Sequence, residues 1–518
     1  MESKFRRFSV LLLVTLFAAF VLNSAVLAEP KSGGTLIIAT EKDAYILDPG
    51  RTNDLPSNAI CDQIFDTLVA FDENLDLIPH IATSWYVSDD NLSWTFELRD
   101  DVKFHDGVPL TAEDVVFSFQ RILAVPDADS QKRSKIEMIE SVEALDDYTV
   151  VFHLKAPFGP FPEAVRMHIV PKHLAVDDEF ASHPVGSGPF KFASWQRDEA
   201  VTLVRNEDYW LTRPNLEKVV FKPIPDGVVA SMALLTGEVD VVENILSQTI
   251  PRLKNSPTTD VLYAEGMNYF WIGFRQTEAP YNDLRFRKMV YHSTDMDQMI
   301  ESVFEQDTGT RAYSAAAPGL WPRDLEYMKA AALKEDKERA KELFAELVKD
   351  GVMEKDTPIY FRVNEDPIRI KIAEIVTTNL QQIGVNAKME IIEWSAYLDW
   401  VLRSRIPGMY MLGTTPSIVD PDAVFHWLYS TEAHHAGIID ALEEHEADAW
   451  IIEARESADH QVREELYRRI QRWALIENVQ QIPAYHQNVV IAVRNNVRGL
   501  KPAPNGQWFI FTHPARHW

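Results

Sequence analysis

The sequence predicts a mixed α/β protein that carries a parallel sheet. Strand-like and helix-like segments are interleaved along the chain, and between residues 358 and 415 they follow the order strand, helix, strand, helix, strand. Gly384 stands where the first of those helices must stop, at a position that favours a left-handed residue.

Each element has its own reason. Thr35 to Thr40 is an apolar run of strand length, and Ser93 to Arg99 alternates apolar Trp94, Phe96 and Leu98 with polar neighbours, the period of a strand. Thr111 and Asp114 can cap a helix whose buried stripe is Val115, Phe119, Ile122 and Leu123. Thr149 to Leu154 reads as another strand. Ile359 to Val363 then precedes an amphipathic helix from about Pro367 to Ile383. Val385 to Ile392, a helix from Tyr397 to Arg403 and a strand from Met409 to Leu412 follow. This order forms right-handed crossovers, and ligands of such sheets sit off the carboxyl ends of the strands. Those ends are Asn364-Glu365, Glu393-Trp394 and Gly413-Thr414-Thr415.

Composition sets the compartment and the classes excluded. Lys4, Arg6 and Arg7 precede an apolar run from Phe8 to Leu22, and Val26-Leu27-Ala28 forms a small-residue cleavage site, so residues 1–28 read as a signal peptide. No cysteine lies near that site, which argues against a lipid-anchored form and for a soluble periplasmic protein. Cys61 is the only cysteine, so no internal disulfide can form. The net charge is -27, and a surface this acidic will not track nucleic acid.

Catalytic signatures are missing from the sequence. There is no GxxxxGK[ST] phosphate loop and no HExxH, and Gly186-Ser187-Gly188 lacks the nucleophile-elbow spacing. His426, His434, His435 and His445 fall close together, but their spacing matches no closed metal site. Trp394, Tyr397, Trp400, Trp427 and Trp508 could stack on a ligand or fill a core. Only Trp394 is placed at the expected cleft by the strand-end argument. No metal, no cofactor and no catalytic residue is expected.

Several ordered blocks resemble the extracellular solute-binding proteins of family 5, the peptide, oligopeptide and nickel receptors of ABC importers. They are Gly33-Gly34-Thr35-Leu36, Leu47-Asp48-Pro49, Trp94 to Arg99, Val102 to Gly107, Leu110 to Val115, Gly186 to Phe190, Arg205 to Trp210 and Leu235 to Asp240. The resemblance implies a type II periplasmic-binding-protein fold: two lobes of mixed sheets flanked by helices, closing on a ligand, with an extra inserted domain. It places the first lobe at 29–75, 183–268 and 484–518, the inserted domain at 76–182 and the second lobe at 269–483. Pro280 to Asp283 and the stretch near Pro483 are the expected crossings between lobes. It also implies a monomer whose partners are a small ligand and the permease subunits of an importer, with the ATPase subunits reached only indirectly.

The same resemblance sharpens the loop 412–425, LGTTPSIVDPDAVF. Peptide receptors of the family carry an aspartate about three residues before its Asp-Pro, where it accepts a ligand's ammonium group. Here Asp420-Pro421 is preceded at that position by Ser417. The expected binding residues are Trp394, Thr414, Thr415, Ser417, Arg275 and Trp427. Arg275 pairs either with a ligand carboxylate or phosphate or with surface acids of the protein, and Arg362 is offset by one from the strand arginine of dipeptide receptors. A peptide-like solute, an opine, an oligosaccharide or a metal chelate all fit this reading. The readings from other classes are a secreted hydrolase using Ser417 with His426, and a periplasmic holdase.

Overall fold

The computed structural model describes residues 33–52, 54–72, 74–124, 131–176, 178–243, 245–404, 406–431 and 445–505. The segment 1–28, His434, His435 and Trp508 lie outside them.

Two large sheets define two lobes. The first has seven strands in the order Thr259–Ala264, Val489–Arg494, Val241–Val242, Thr35–Thr40, Lys218–Pro223, Ala200–Arg205 and Phe190–Gln196. The second has six: Gly309–Arg311, Gln481–Gln487, Tyr269–Arg275, Gly408–Thr414, Ile359–Val363 and Ala387–Ile391. Ile359–Val363 runs parallel to both of its neighbours, as the strand-helix-strand order requires. Tyr269–Arg275 pairs antiparallel with Gly408–Thr414, which makes the sheet mixed.

The central strands of the second lobe are covered on both faces. Along Gly408–Thr414, Met409 and Met411 join one apolar cluster while Tyr410 and Leu412 join the other, because alternate side chains of a strand point to opposite faces. The helix between the first two parallel strands spans Pro367–Gln382, and Gly384 just beyond it has φ +95°.

A third sheet of four strands, Ala82–Val87, Ser93–Leu98, Thr149–Leu154 and Ile139–Asp146, forms the inserted domain. Its helix Ala112–Leu123 starts where the sequence indicates: the Thr111 N–H donates to Asp114 Oδ2 at 2.9 Å, and Val115, Phe119 and Ile122 are buried against the sheet.

The pairing moves two expected borders and one expected crossing. The strands Val69–Phe71 and Leu77–Pro79 pair with each other across the 75/76 border, and Leu68 and Val69 already pack in the inserted domain's core. Gln481–Gln487 lies in one sheet with Tyr269–Arg275, so the second lobe extends past Pro483 and the chain crosses at Asn488. Pro280 to Asp283 is not a crossing, because Tyr281 is buried in the second lobe's core. The other crossing is the link 265–268. Apolar pattern locates a strand, but hydrogen-bond register alone tells which sheet it joins.

The inserted domain touches the second lobe directly. The Gly159 N–H donates to the Arg455 carbonyl at 2.7 Å, and a Cβ at Gly159 would stand 1.9 Å from the Ser457 carbonyl oxygen. Only a glycine permits this backbone approach.

Candidate functional site

The loop after Gly408–Thr414 lies between the second lobe and the inserted domain and borders two cavities. The larger, of about 670 Å³, is lined by Ser417, Ile418, Asp422, His426 and Trp427 on one side and by Lys135, Lys155 and Phe158 on the other. The smaller, of about 210 Å³, has Thr415, Ser417 and Val419 facing Lys132, Lys135, Glu163 and Arg166 of the inserted domain and Asp62 of the first lobe. Lys135, Ser417 and Ile418 belong to both.

Of the two aspartates of the loop, Asp420 serves the protein itself. Asp420 is fully buried, and its Oδ1 accepts from Arg463 Nη2 at 2.7 Å and from the Asp422 N–H at 2.8 Å. This anchors the start of the helix Asp422–Tyr429. Asp422 is also buried; burial raises its carboxyl to about 6, against the pull of Arg455 3.8 Å away. What the loop leaves exposed is Thr415 and Ser417, two hydroxyls without charge.

Across the cavity, Glu163 is raised to about 8 by burial and by the neighbouring Asp420 carboxylate, while Arg463 opposes the shift. Asp62 accepts from His168 Nε2 at 2.8 Å with Arg166 at 3.8 Å, which holds it below the ordinary carboxylate value despite burial. His426 is lowered to about 4 by burial, so its ring is neutral at pH 7. Among the described residues, no group of three or more His, Cys, Asp and Glu side chains could hold a metal ion.

The expected binding residues separate into three groups. Thr415, Ser417 and Trp427 line the cavities; Trp427 meets Trp271 edge-on with ring centroids 5.9 Å apart. Thr414 ends the strand beside them, paired with Tyr269. Trp394 is 43% exposed at the carboxyl edge of the same sheet, but two strands away, where the Arg369 guanidinium lies 5.4 Å from its ring centre. Arg369 also donates to Asn364 Oδ1 at 2.9 Å.

The structure does not bring Arg275 to the others. It pairs with Gly408 at the opposite end of the strand from Thr414, about 20 Å away at the usual rise per residue. It is 0% exposed and donates from Nη1 to the Val401 carbonyl at 2.5 Å. Arg362 is occupied as well: it donates from Nε to Glu390 Oε2 at 2.7 Å and from Nη1 to the Pro407 carbonyl at 2.9 Å. The wall formed by Lys132, Lys135, Glu163 and Arg166 was missed by sequence reasoning, because the strand-end rule concerns one sheet and is silent about a domain some 250 residues earlier. The one available signal was Lys132, Arg133 and Lys135 grouped together in an acidic chain.

Two sheets joined by two crossings, with a cleft between the second lobe and an inserted domain, define a two-lobed binding protein. Residues 76–435 match the model of the bacterial extracellular solute-binding proteins, family 5 Middle, and the chain belongs to this family. The oligopeptide-binding protein AppA of Bacillus subtilis is 28% identical, with 92% of this chain and 90% of that protein covered. Heme-binding protein A of Haemophilus influenzae is 28% identical, with 92% of each covered. The solved structure of HbpA2 from Haemophilus parasuis has a TM-score of 0.82 at 27% identity, covering 92% of this chain and 99% of that one.

Proposed function

We propose that the chain is the periplasmic receptor of an ABC importer, capturing one small polar solute between its second lobe and inserted domain and presenting it to the permease. The carrying observation is the cleft of about 670 Å³ between the Ser417 loop and the inserted domain, a volume in the range of small-ligand sites. Closure would bury the solute, and the loaded form would be the one that docks on the permease. The leader at residues 1–28, read as cleaved after Ala28 with no lipid attached, supports a soluble periplasmic protein. No helix among the described residues is long and apolar enough to cross a membrane.

The exposed hydroxyls of Thr415 and Ser417, with Asp420 already paired to Arg463, favour a peptide-like or related solute that needs no carboxylate partner for an ammonium group. We assign the binding role to Ser417, Thr415 and Trp427, and the capture to binding without turnover. Native mass spectrometry of the purified protein, followed by denaturation and elemental analysis, tests this. One solute released per chain is expected. Conversion of that solute by the protein would overturn the reading, as would unselective binding of unfolded chains without any stoichiometric solute.

A further inference from the structure

The cleft reverses the sign of the molecule's charge. The chain as a whole carries 78 acidic residues against 51 basic ones, yet the smaller cavity is walled by Lys132, Lys135 and Arg166 against Asp62 and Glu163. The two acids offset the three cations only in part. Asp62 is shared between His168 and Arg166, and burial beside Asp420 raises the Glu163 carboxyl to about 8.

The three cations differ in what they already hold. Lys132 donates to Thr52 Oγ1 at 2.7 Å and to Asn58 Oδ1 at 3.2 Å, and Arg166 lies 3.8 Å from Asp62. Lys135 Nζ donates to no acceptor among the described residues. Burial, with Lys132 and Arg166 close by, lowers it to about 8. A partly buried ammonium group beside two other cations is costly, and an incoming oxyanion relieves that cost through short charge-assisted hydrogen bonds. Lys135 is also the residue that faces Ser417 in both cavities.

We propose that this cleft takes a net-anionic solute, with a carboxylate or phosphate oxyanion held by Lys135 beside Lys132 and Arg166, and the rest of the compound against Ser417 and Ile418. This rests on the receptor reading above. Attraction by a cationic cleft would also speed capture at low salt.

Titration calorimetry at low salt decides it, with N-acetyl-glutamyl-glutamate and glucose 6-phosphate as anionic probes and N-acetyl-alanyl-alanine amide as the neutral one. At least one anionic probe is expected to bind at least tenfold more tightly than the neutral probe, and which one does so separates carboxylate from phosphate. Lys135→Gln is expected to weaken that probe tenfold or more while leaving the melting temperature unchanged or higher. Equal binding of the neutral probe, no effect of Lys135→Gln, or no binding of either anion overturns the proposal. The receptor reading is judged separately, by whether the purified protein releases a solute in native mass spectrometry, so a neutral or cationic released solute removes the anion and leaves the receptor.

Discussion

Asn268 and Gln487 clasp each other across the two crossings between the lobes. The Asn268 side-chain amide donates to the Gln487 carbonyl at 2.8 Å, and its Oδ1 accepts from the Gln487 N–H at 2.7 Å. One side chain thereby ties both connecting strands at the place where any rotation of the lobes must be absorbed. Asn268→Leu removes both bonds at an exposed position, with an expected loss of about 1 kcal/mol in denaturant unfolding. Unchanged stability would mean that water replaces the clasp at no cost.

Gly159 supplies a second prediction. Its Cβ position lies 1.9 Å from the Ser457 carbonyl oxygen, so Gly159→Ala must push the inserted domain away from the second lobe. Overpacking of this kind costs about 1–3 kcal/mol, and the thermal midpoint should fall accordingly. A variant as stable as the parent would show that this contact opens freely in solution.

The raised carboxyl of Glu163 makes stability depend on pH. Its value in the unfolded chain is near the ordinary 4.5 and in the fold about 8, so the folded state binds the proton more strongly. This contribution is complete below about pH 4.5 and is lost as the pH rises toward 8. Glu163→Gln keeps the shape without the proton. The expected result is a smaller loss of melting temperature between pH 5 and pH 9 in the variant than in the parent; parallel profiles would refute the assignment.

Arg275 should behave as a core residue. Arg275→Met roughly preserves volume but leaves the Val401 carbonyl without its donor, at a cost of about 1–3 kcal/mol. Binding of whatever solute the parent protein releases should be unchanged. A loss of affinity at full stability would place Arg275 at the cleft after all.

The second lobe was the legible part of the sequence. Ile359–Val363, the helix ending before Gly384 and the strand leading to Thr415 follow from apolar period and one glycine, and their order forces a parallel arrangement whose strand ends point to the Ser417 loop. Arg275 was not legible, because six of the seven residues of Tyr269–Arg275 are buried and alternation therefore carries no information about which end or face meets a ligand. Lys135 was illegible for another reason. It enters the cleft from a turn of the inserted domain, just after the helix Gln131–Ser134, and a contact between residues nearly 300 positions apart has no local signature. The crossings at 265–268 and at Asn488 depend on strand pairing, which periodicity does not encode.

The placement of Val489–Arg494 has a consequence for how the protein is made. This strand sits between Thr259–Ala264 and Val241–Val242 and, among the described residues, alone joins Thr259–Ala264 to the first lobe's sheet. That sheet cannot be completed until Val489–Arg494 has left the ribosome. A growing chain can therefore pair Thr35–Thr40 with Lys218–Pro223 and Val241–Val242 early, but it keeps Thr259–Ala264 and one edge of Val241–Val242 without their shared partner until Val489–Arg494 is made.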